Sequence, residues 1–129
     1  MAIQWDNDGN GVTYQGDSGE LNLEGLTPNV SYTIYLAIQN NRRKIVGAEQ
    51  YTLTGGLERV TLFISPELTN KCVVPQTSEY EDYYYFLKAC RQDDNGNNIE
   101  DTLFINGATF GDKKVLRVYP KGAEGTIND

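Results

Sequence analysis

The feature that most constrains the fold of this chain is a period-two alternation of its side chains. Between Ser31 and Gln39, every second residue is large and apolar: Tyr32, Ile34, Leu36 and Ile38. A period of two is that of a β-strand with one buried face, whereas an amphipathic helix repeats its apolar residues every three or four positions. Glu58–Ile64 alternates in the same way. Because no segment has sustained helical periodicity, the sequence predicts a mainly β protein.

Turn signals divide the chain into short segments of this kind. Clusters of Gly, Pro, Asn and Asp recur about every ten to fifteen residues, as they do in all-β sandwiches and barrels. Asn95-Gly96 is a strong hairpin signal, because both positions accept positive φ. The predicted strands are Ile3–Trp5, Gly11–Gln15, Gly19–Leu23, Ser31–Gln39, Lys44–Thr54, which is interrupted or bulged near Gly47, Glu58–Ile64, Tyr80–Arg91, Ile99–Ile105 and Lys113–Tyr119.

A single helical start interrupts these strands. Ser65 can cap a helix, Pro66 suits the first helical position, and Glu67 favours the positive end of the helix dipole. The residues that follow, Thr69-Asn70-Lys71, limit this helix to about one turn. We therefore expect an all-β fold: an antiparallel immunoglobulin-like β-sandwich of about eight strands with at most one short helical turn. We expect one domain over residues 1–119 and a polar C-terminal tail over residues 120–129.

Composition argues against several classes of function. The chain has 18 acidic and 11 basic residues, a net charge of −7, which opposes binding to nucleic acid or to an anionic membrane. It has no histidine, which excludes Ser-His-Asp and Cys-His catalysis and His-ligated zinc. No Walker loop, Rossmann glycine pattern or nucleophile elbow is present. We therefore expect no enzymatic activity, and no nucleic-acid or membrane partner.

Two cysteines and the N-terminal residues bear on the compartment. Cys72 and Cys90 form no CxxC motif, and we expect two buried thiols, although a disulfide stays open at this point. No apolar run approaches the roughly 20 residues that span a bilayer, and no signal peptide is recognised. The sequence therefore predicts synthesis and assembly inside a cell.

An Asp- and Asn-rich loop has the spacing of a calcium site. Asp6, Asp8 and Asn10 alternate before Gly11, and Asp17 is the twelfth position counted from Asp6. This places oxygen ligands as an EF-hand loop does, but the flanking helices are missing and the twelfth residue is not Glu. Asp, Asn and Gly are also ordinary turn residues, which is the interpretation we favour. We expect no cofactor, with calcium at Asp6, Asp8, Asn10 and Asp17 as the weaker alternative.

Aromatic and basic residues supply the candidate contact surfaces. The tyrosines at positions 83–85 lie beside Glu79, Glu81 and Asp82, which suits either a sugar-binding face or a central strand packed on both sides. Arg42, Arg43 and Lys44 form the most compact basic cluster, at a predicted hairpin tip. The candidate residues for a protein interface are Trp5, Arg42, Arg43, Lys44, Tyr83, Tyr85 and Tyr119.

The order of these features resembles that of small tailed-bacteriophage virion proteins, and in particular the N-terminal domain of baseplate upper proteins. The resemblance runs through most of the chain, as a pattern of turns and strands with a segment at Lys71–Glu79 that looks inserted. The residues that carry it are Trp5, Gly16-Asp17, Gly25-Leu26 before Tyr32–Ile38, Val60–Ile64 before Ser65-Pro66-Glu67-Leu68-Thr69, Tyr83–Lys88, Thr102-Leu103-Phe104, Gly107 and a final Val-rich strand.

The resemblance implies a non-enzymatic structural protein of a phage particle, made in the host cytoplasm and located in the virion. It would serve as a head decoration, the base of a head fibre or a baseplate component. Its partners would be other virion proteins of the capsid, the portal or neck, or the tail, in a symmetric homo- or hetero-oligomer. The alternative that the residues support is a carbohydrate-binding module, with or without calcium.

Overall fold

Eleven strands and one short helix make up the described part of the chain. The computed structural model describes residues 2–56, 60–101, 104–105, 108–109 and 113–120. Most of the predicted tail lies outside these residues, as do Glu58 and Arg59 of a predicted strand and Thr102-Leu103 and Gly107 of the resemblance. The elements are β1 Gln4–Trp5, β2 Gly11–Tyr14, β3 Gly19–Leu23, β4 Ser31–Gln39, β5 Ile45–Thr54, β6 Val60–Ile64, α1 Pro66–Asn70, β7 Glu81–Gln92, β8 Asn98–Asp101, β9 Phe104–Ile105, β10 Ala108–Thr109 and β11 Lys114–Tyr119.

A large sheet of seven strands forms one layer, in the order β1-β2-β11-β7-β4-β5, with β8 also beside β7. The twelve-residue strand β7 is its centre. One edge of β7 pairs with β4, and the other edge pairs with β11 near its start and with β8 near its end. The expectation of a purely antiparallel fold is wrong for one pair, since β2 and β11 run parallel. These strands come from opposite ends of the sequence, so no hairpin dictates their relative direction.

The antiparallel pair β3–β6 covers the large sheet and completes the sandwich. Its inward residues include Leu21, Leu23 and Leu62, all of which are buried. They join the buried face of β4 and β7 in one apolar core that also contains Ile34, Leu36, Tyr85 and Val118. The all-β sandwich is therefore confirmed, while its immunoglobulin-like topology stays a prediction. The predicted strand Ile99–Ile105 is divided between β8, which pairs with β7, and β9, which pairs with β10.

The helix and the bulge follow the predictions closely. Ser65 caps α1, because its Oγ accepts a hydrogen bond from the Leu68 N–H at 3.3 Å, and Pro66 begins the helix. Leu68 packs against β5 at Gly47, where a Cβ would lie 2.9 Å from the Leu68 Cδ1 atom. The register of the β4–β5 pair shifts at the same place, because Ile38 pairs with Gly47 whereas Gln39 pairs with Ile45, which leaves Val46 as the extra residue. The extra residue in β5 gives the bulge that allows α1 to approach.

Candidate docking surface

The outer face of the large sheet, which is turned away from β3 and β6, carries a cluster of aromatic side chains. Tyr14 and Tyr119 are register partners in the parallel pair, and their ring centroids lie 5.8 Å apart. The Tyr119 ring is also 5.7 Å from the ring of Tyr80, which directly precedes β7. We call Tyr14, Tyr80, Tyr119 and Arg117 the aromatic cluster. The strand pairings bring together residues that are far apart in the sequence.

Arg117 holds this cluster in one arrangement. Its guanidinium carbon lies 3.9 Å from the centroid of the Tyr80 ring. The same group makes a two-pronged ion pair with Asp82 at 2.8 and 3.2 Å, and this hydrogen bonding raises the pKa of Arg117. A planar guanidinium suits both contacts, because it can stack on a ring while its edge donates to a carboxylate. These contacts within the chain therefore fix the arrangement of the cluster.

The rest of the outer face continues this chemistry. The Lys113 ammonium lies 5.2 Å from the Tyr84 ring centroid, and the rings of Tyr35 and Phe86 are 6.1 Å apart. Val12, which is 39% exposed, is the register partner of Arg117. Tyr, Phe and Arg are among the residue types enriched at the centres of protein interfaces. The face has the composition of a docking surface.

The structure places two of the sequence-predicted contact residues inside the molecule. Tyr83 and Tyr85 are 5% and 1% exposed, and their hydroxyls donate to the carbonyl oxygens of Val73 and Gly9. Burial raises the pKa of Tyr83 to about 12 and raises that of Tyr85 as well. The sequence signal that distinguishes them from Tyr84 is their spacing. Tyr83 and Tyr85 lie at two-residue intervals from the apolar residue Leu87 and so share its face of the strand, whereas Tyr84 lies on the opposite face.

Trp5 also lies inward. Its indole N–H donates to the carbonyl oxygen of Glu20 at 2.7 Å, and its ring centroid is 5.4 Å from that of Tyr85. Trp5 thus links β1 to β3 across the two layers. Of the residues predicted for an interface, Tyr119 belongs to the aromatic cluster, and Arg42, Arg43 and Lys44 are exposed at the β4–β5 turn. Tyr14, Tyr80 and Arg117 belong to the aromatic cluster but were not among the interface residues predicted from the sequence.

The geometry of the Asp6 loop does not support the calcium interpretation. The Asp6 carboxylate accepts hydrogen bonds from the N–H groups of Asp8 and Asn10, each at 2.9 Å, and these bonds lower its pKa. The Asn10 side-chain oxygen accepts the Val115 N–H at 3.0 Å, and the main-chain oxygen of Asp17 accepts from Thr69. Among the described residues, no group of three or more His, Cys, Asp or Glu is placed to hold a metal ion. The loop is built as the turn that its composition also predicts.

Three hairpin turns share this construction: Asp6–Asn10, Asn40–Lys44 and Asp93–Asn97. In each, the first side chain accepts two backbone N–H groups, and the first and fifth residues are joined through their main chains. The fourth residue always has positive φ: 90° at Gly9, 65° at Arg43 and 82° at Gly96. We call Asn40–Lys44 the basic turn and Asp93–Asn97 the acidic turn. The basic turn uses arginine where the other two use glycine.

A cavity of about 420 Å³ opens where β4 begins and β7 ends. It is lined by Val30, Ser31, Tyr32, Thr33, Cys90, Arg91, Gln92 and Asn98. Arg91 is bound by Asp101 at 2.7 Å, so its charge is already matched within the protein. Cys72 and Cys90 are both free thiols, but the expectation that both are buried is wrong for Cys90, which is half-buried. Burial raises the pKa of Cys72 to about 12. The cavity brings together no acid–base pair and no nucleophile with an adjacent base.

The comparisons with known proteins do not add to this picture. In the parts of the chain that the structure describes, no helix has the length and apolar character needed to cross a membrane. No protein-family model matches the chain, and neither does any curated protein or any solved structure.

Proposed function

We propose that this chain is a non-enzymatic structural protein of a tailed-phage particle, and that it docks on other virion proteins through the outer face of its large sheet. The observation that carries the proposal is the aromatic cluster. Tyr80 is 36% exposed while its ring is held from one side by Arg117 and from another by Tyr119. The absence of histidine from the sequence and the resemblance to virion proteins support the same class of function.

Preorganisation makes these residues effective anchors. Ordering a long side chain such as Arg on binding costs about 0.5–1.5 kcal/mol, which lowers affinity. Here Asp82 and Tyr80 already hold Arg117, so much of that cost has been met during folding. Aromatic and arginine anchors of this kind dominate the energetics of many protein interfaces. The cluster therefore suits a lasting contact in an assembled particle.

The carbohydrate-binding alternative receives less support from the geometry. Flat binding of a sugar chain favours aromatic rings that share a plane, but the rings of Tyr14 and Tyr80 are tilted by 44° and 53° to that of Tyr119. Of the tyrosines at positions 83–85, Tyr84 is the one on the outer face. The calcium-dependent form of the alternative is also less well supported. The carboxylate of Asp6, its first candidate ligand, accepts hydrogen bonds from backbone N–H groups of its own turn.

Co-sedimentation with purified tailed-phage particles that lack this protein tests the proposal. We expect the labelled wild-type chain to pellet with the particles. The double variant Tyr80→Ala/Tyr119→Ala should bind at least about tenfold more weakly, since truncated anchors typically cost more than 1 kcal/mol. The matched control is Phe63→Ala, which truncates an aromatic residue that is 54% exposed on the covering sheet. Circular dichroism melting of each variant verifies that it is folded.

The outcomes separate the two functions. Failure of the wild-type chain to pellet with any particle would refute the docking proposal, as would equal loss of binding in Phe63→Ala. A glycan array provides the second arm. Binding to a glycan that disappears in Tyr80→Ala/Tyr119→Ala would assign the aromatic cluster to carbohydrate instead of to protein.

A further inference from the structure

The basic turn and the acidic turn are two copies of one structure with opposite charge. In the basic turn the Asn40 side-chain oxygen accepts the N–H groups of Arg42 and Lys44, at 2.9 and 3.0 Å. In the acidic turn Asp93 accepts the N–H groups of Asn95 and Asn97 in the same way, at 2.9 and 2.8 Å. The backbone frame is thus the same, and the charged side chains are what distinguish the two turns.

Arg43 is an unfavourable choice for the turn that carries it. Its φ of 65° is a conformation that glycine adopts without strain, and glycine fills the corresponding place in the other two turns. Residues in such conformations persist where the surrounding structure fixes them, and they cluster at functional sites. The role of Arg43 is not packing, because Arg42, Arg43 and Lys44 are all exposed. Three consecutive exposed cations are suited to a contact outside the chain.

Charge complementarity points to another copy of this chain as the partner. The net charge of the chain is −7, so the residues outside the basic turn carry −10. The acidic turn contributes Asp93 and Asp94, and the exposed Glu100 follows on β8. The cation nearest in sequence, Arg91, makes its ion pair with Asp101 at 2.7 Å. The acidic turn itself contains no cation and therefore keeps a net negative charge.

The topology sends the two turns in opposite directions. The basic turn follows the end of β4, the acidic turn follows the end of β7, and β4 and β7 are antiparallel neighbours. A strand of this length separates them by about 30 Å. Glu79 and Glu81 lie near the start of β7, at the same end as the basic turn. At physiological salt, charges are screened beyond about 8 Å. The charges of the projecting turn itself therefore act on a partner more strongly than the more distant carboxylates of Glu79 and Glu81 do.

We propose that the basic turn of one copy binds the acidic turn of a second copy, end to end. The contact is heterologous, because the two surfaces that meet are different. A pair of copies therefore keeps a free acidic turn at one end and a free basic turn at the other, and association continues into a ring or a filament. This self-association is independent of the outer face, which stays available for the docking proposed above.

Sedimentation velocity on the purified chain tests the proposal at about 0.15 and 1 M salt, between which the Debye length falls from about 8 to 3 Å. We expect the average sedimentation coefficient to rise with protein concentration at low salt and to return to the monomer value at high salt. Arg42→Glu/Arg43→Glu and Asp94→Lys/Glu100→Lys should each be monomeric alone. Mixed in equal amounts, the two variants should associate again, because one presents acidic ends and the other basic ends.

A control and the contrary outcomes complete the design. Lys88→Glu reverses an exposed charge away from both turns and should associate like the wild type, as should Tyr80→Ala/Tyr119→Ala. A wild-type chain that is monomeric at every concentration and salt would overturn the proposal. So would a mixture of the two reversed variants that stays monomeric, or a dimer that does not grow with concentration. No phage particle is present, so these results are separate from those of the docking experiment.

Discussion

The hydroxyl of Tyr32 donates a hydrogen bond of 2.6 Å to the carboxylate of Asp101, although their strands β4 and β8 are not neighbours. Asp101 also accepts from Arg91 at 2.7 Å on β7, which lies between those strands. The Tyr32 oxygen in turn accepts the Thr27 N–H at 3.0 Å. The two side chains therefore tie three strands and the loop before β4 together. The hydrogen bonds from Arg91 and Tyr32 lower the pKa of Asp101.

Tyr32→Phe tests the weight of this network. We expect a loss of about 1–3 kcal/mol in the free energy of unfolding, because the variant keeps the ring but leaves the Thr27 N–H without its acceptor. Urea unfolding followed by fluorescence measures the change. The matched control is Tyr35→Phe, on the outer face of the same strand, which should change stability by less than about 0.5 kcal/mol. Equal stability of the two variants would contradict the role assigned to the Tyr32 hydroxyl.

Gly55→Ala should be among the most damaging single-methyl changes in the chain. A Cβ at Gly55 would lie 2.1 Å from the carbonyl oxygen of Thr27, and a backbone atom cannot move aside as a flexible side chain does. We expect a loss of about 1–3 kcal/mol or more from this forced overlap. Gly96→Ala is the comparison: its Cβ meets nothing within 4 Å, and its cost comes from φ of 82° alone. That cost should be about 1 kcal/mol, so thermal melting should rank Gly55→Ala below Gly96→Ala.

Local patterns in the sequence were sufficient to predict most of the strands, but not β10 and not how the strands are arranged. The alternation of apolar and polar side chains predicted β4, and Ser65 with Pro66 predicted the start of α1. Both signals depend only on neighbours within a few residues. The parallel pairing of β2 with β11 joins residues about a hundred positions apart, for which no local signal exists. The aromatic cluster is a product of that pairing. Its members could be identified as aromatic from the sequence, but not as neighbours.

The assignment of faces was within reach of the sequence. Tyr85, Leu87 and Ala89 are spaced two residues apart and therefore share one face of the strand. The apolar residues predict that this face is buried, and all three side chains are buried in the structure. The sequence shows the similarity of two of the three turns but not of the third. Asp6 and Asp93 are each followed by glycine at the fourth turn position and asparagine at the fifth, but the basic turn keeps neither. Its positive φ at Arg43 follows from backbone geometry that no residue preference predicts.

Stability should fall in acid because of Asp6 and Asp93. Backbone N–H groups of each turn lower the pKa of both carboxyl groups from the ordinary value of 3.8. The folded state therefore binds protons less readily than the unfolded state, so this contribution is fully present above pH 3.8 and is lost as pH falls through the lowered values. Thermal melting across this range should show a falling Tm below about pH 4.

A double variant isolates the contribution of the turns. Asp6→Asn/Asp93→Asn keeps side-chain oxygens that can accept the same N–H groups, so the fold should persist while the acid dependence becomes shallower. The control is Asp94→Asn, because the turn's hydrogen bonds are made by Asp93 instead. An unchanged slope of Tm against pH in the double variant would show that other carboxyl groups cause the acid sensitivity.

Arg43→Gly should stabilise the protein although it removes an exposed, charged side chain. At φ of 65° an L-residue is strained, and glycine relieves that strain by about 1 kcal/mol. Part of this gain is offset because glycine loses more conformational entropy on folding than arginine does. We expect a net gain of about 0.5 kcal/mol in urea unfolding. About 0.3 M salt screens repulsion within the basic turn, so the gain reflects the backbone. Arg43→Ala removes the same charge without relieving the strain and should give no gain, and Arg42→Gly should be destabilising because Arg42 does not have positive φ. If Arg43→Ala gained as much as Arg43→Gly, charge repulsion instead of backbone strain would be the reason that arginine is unfavourable at this position.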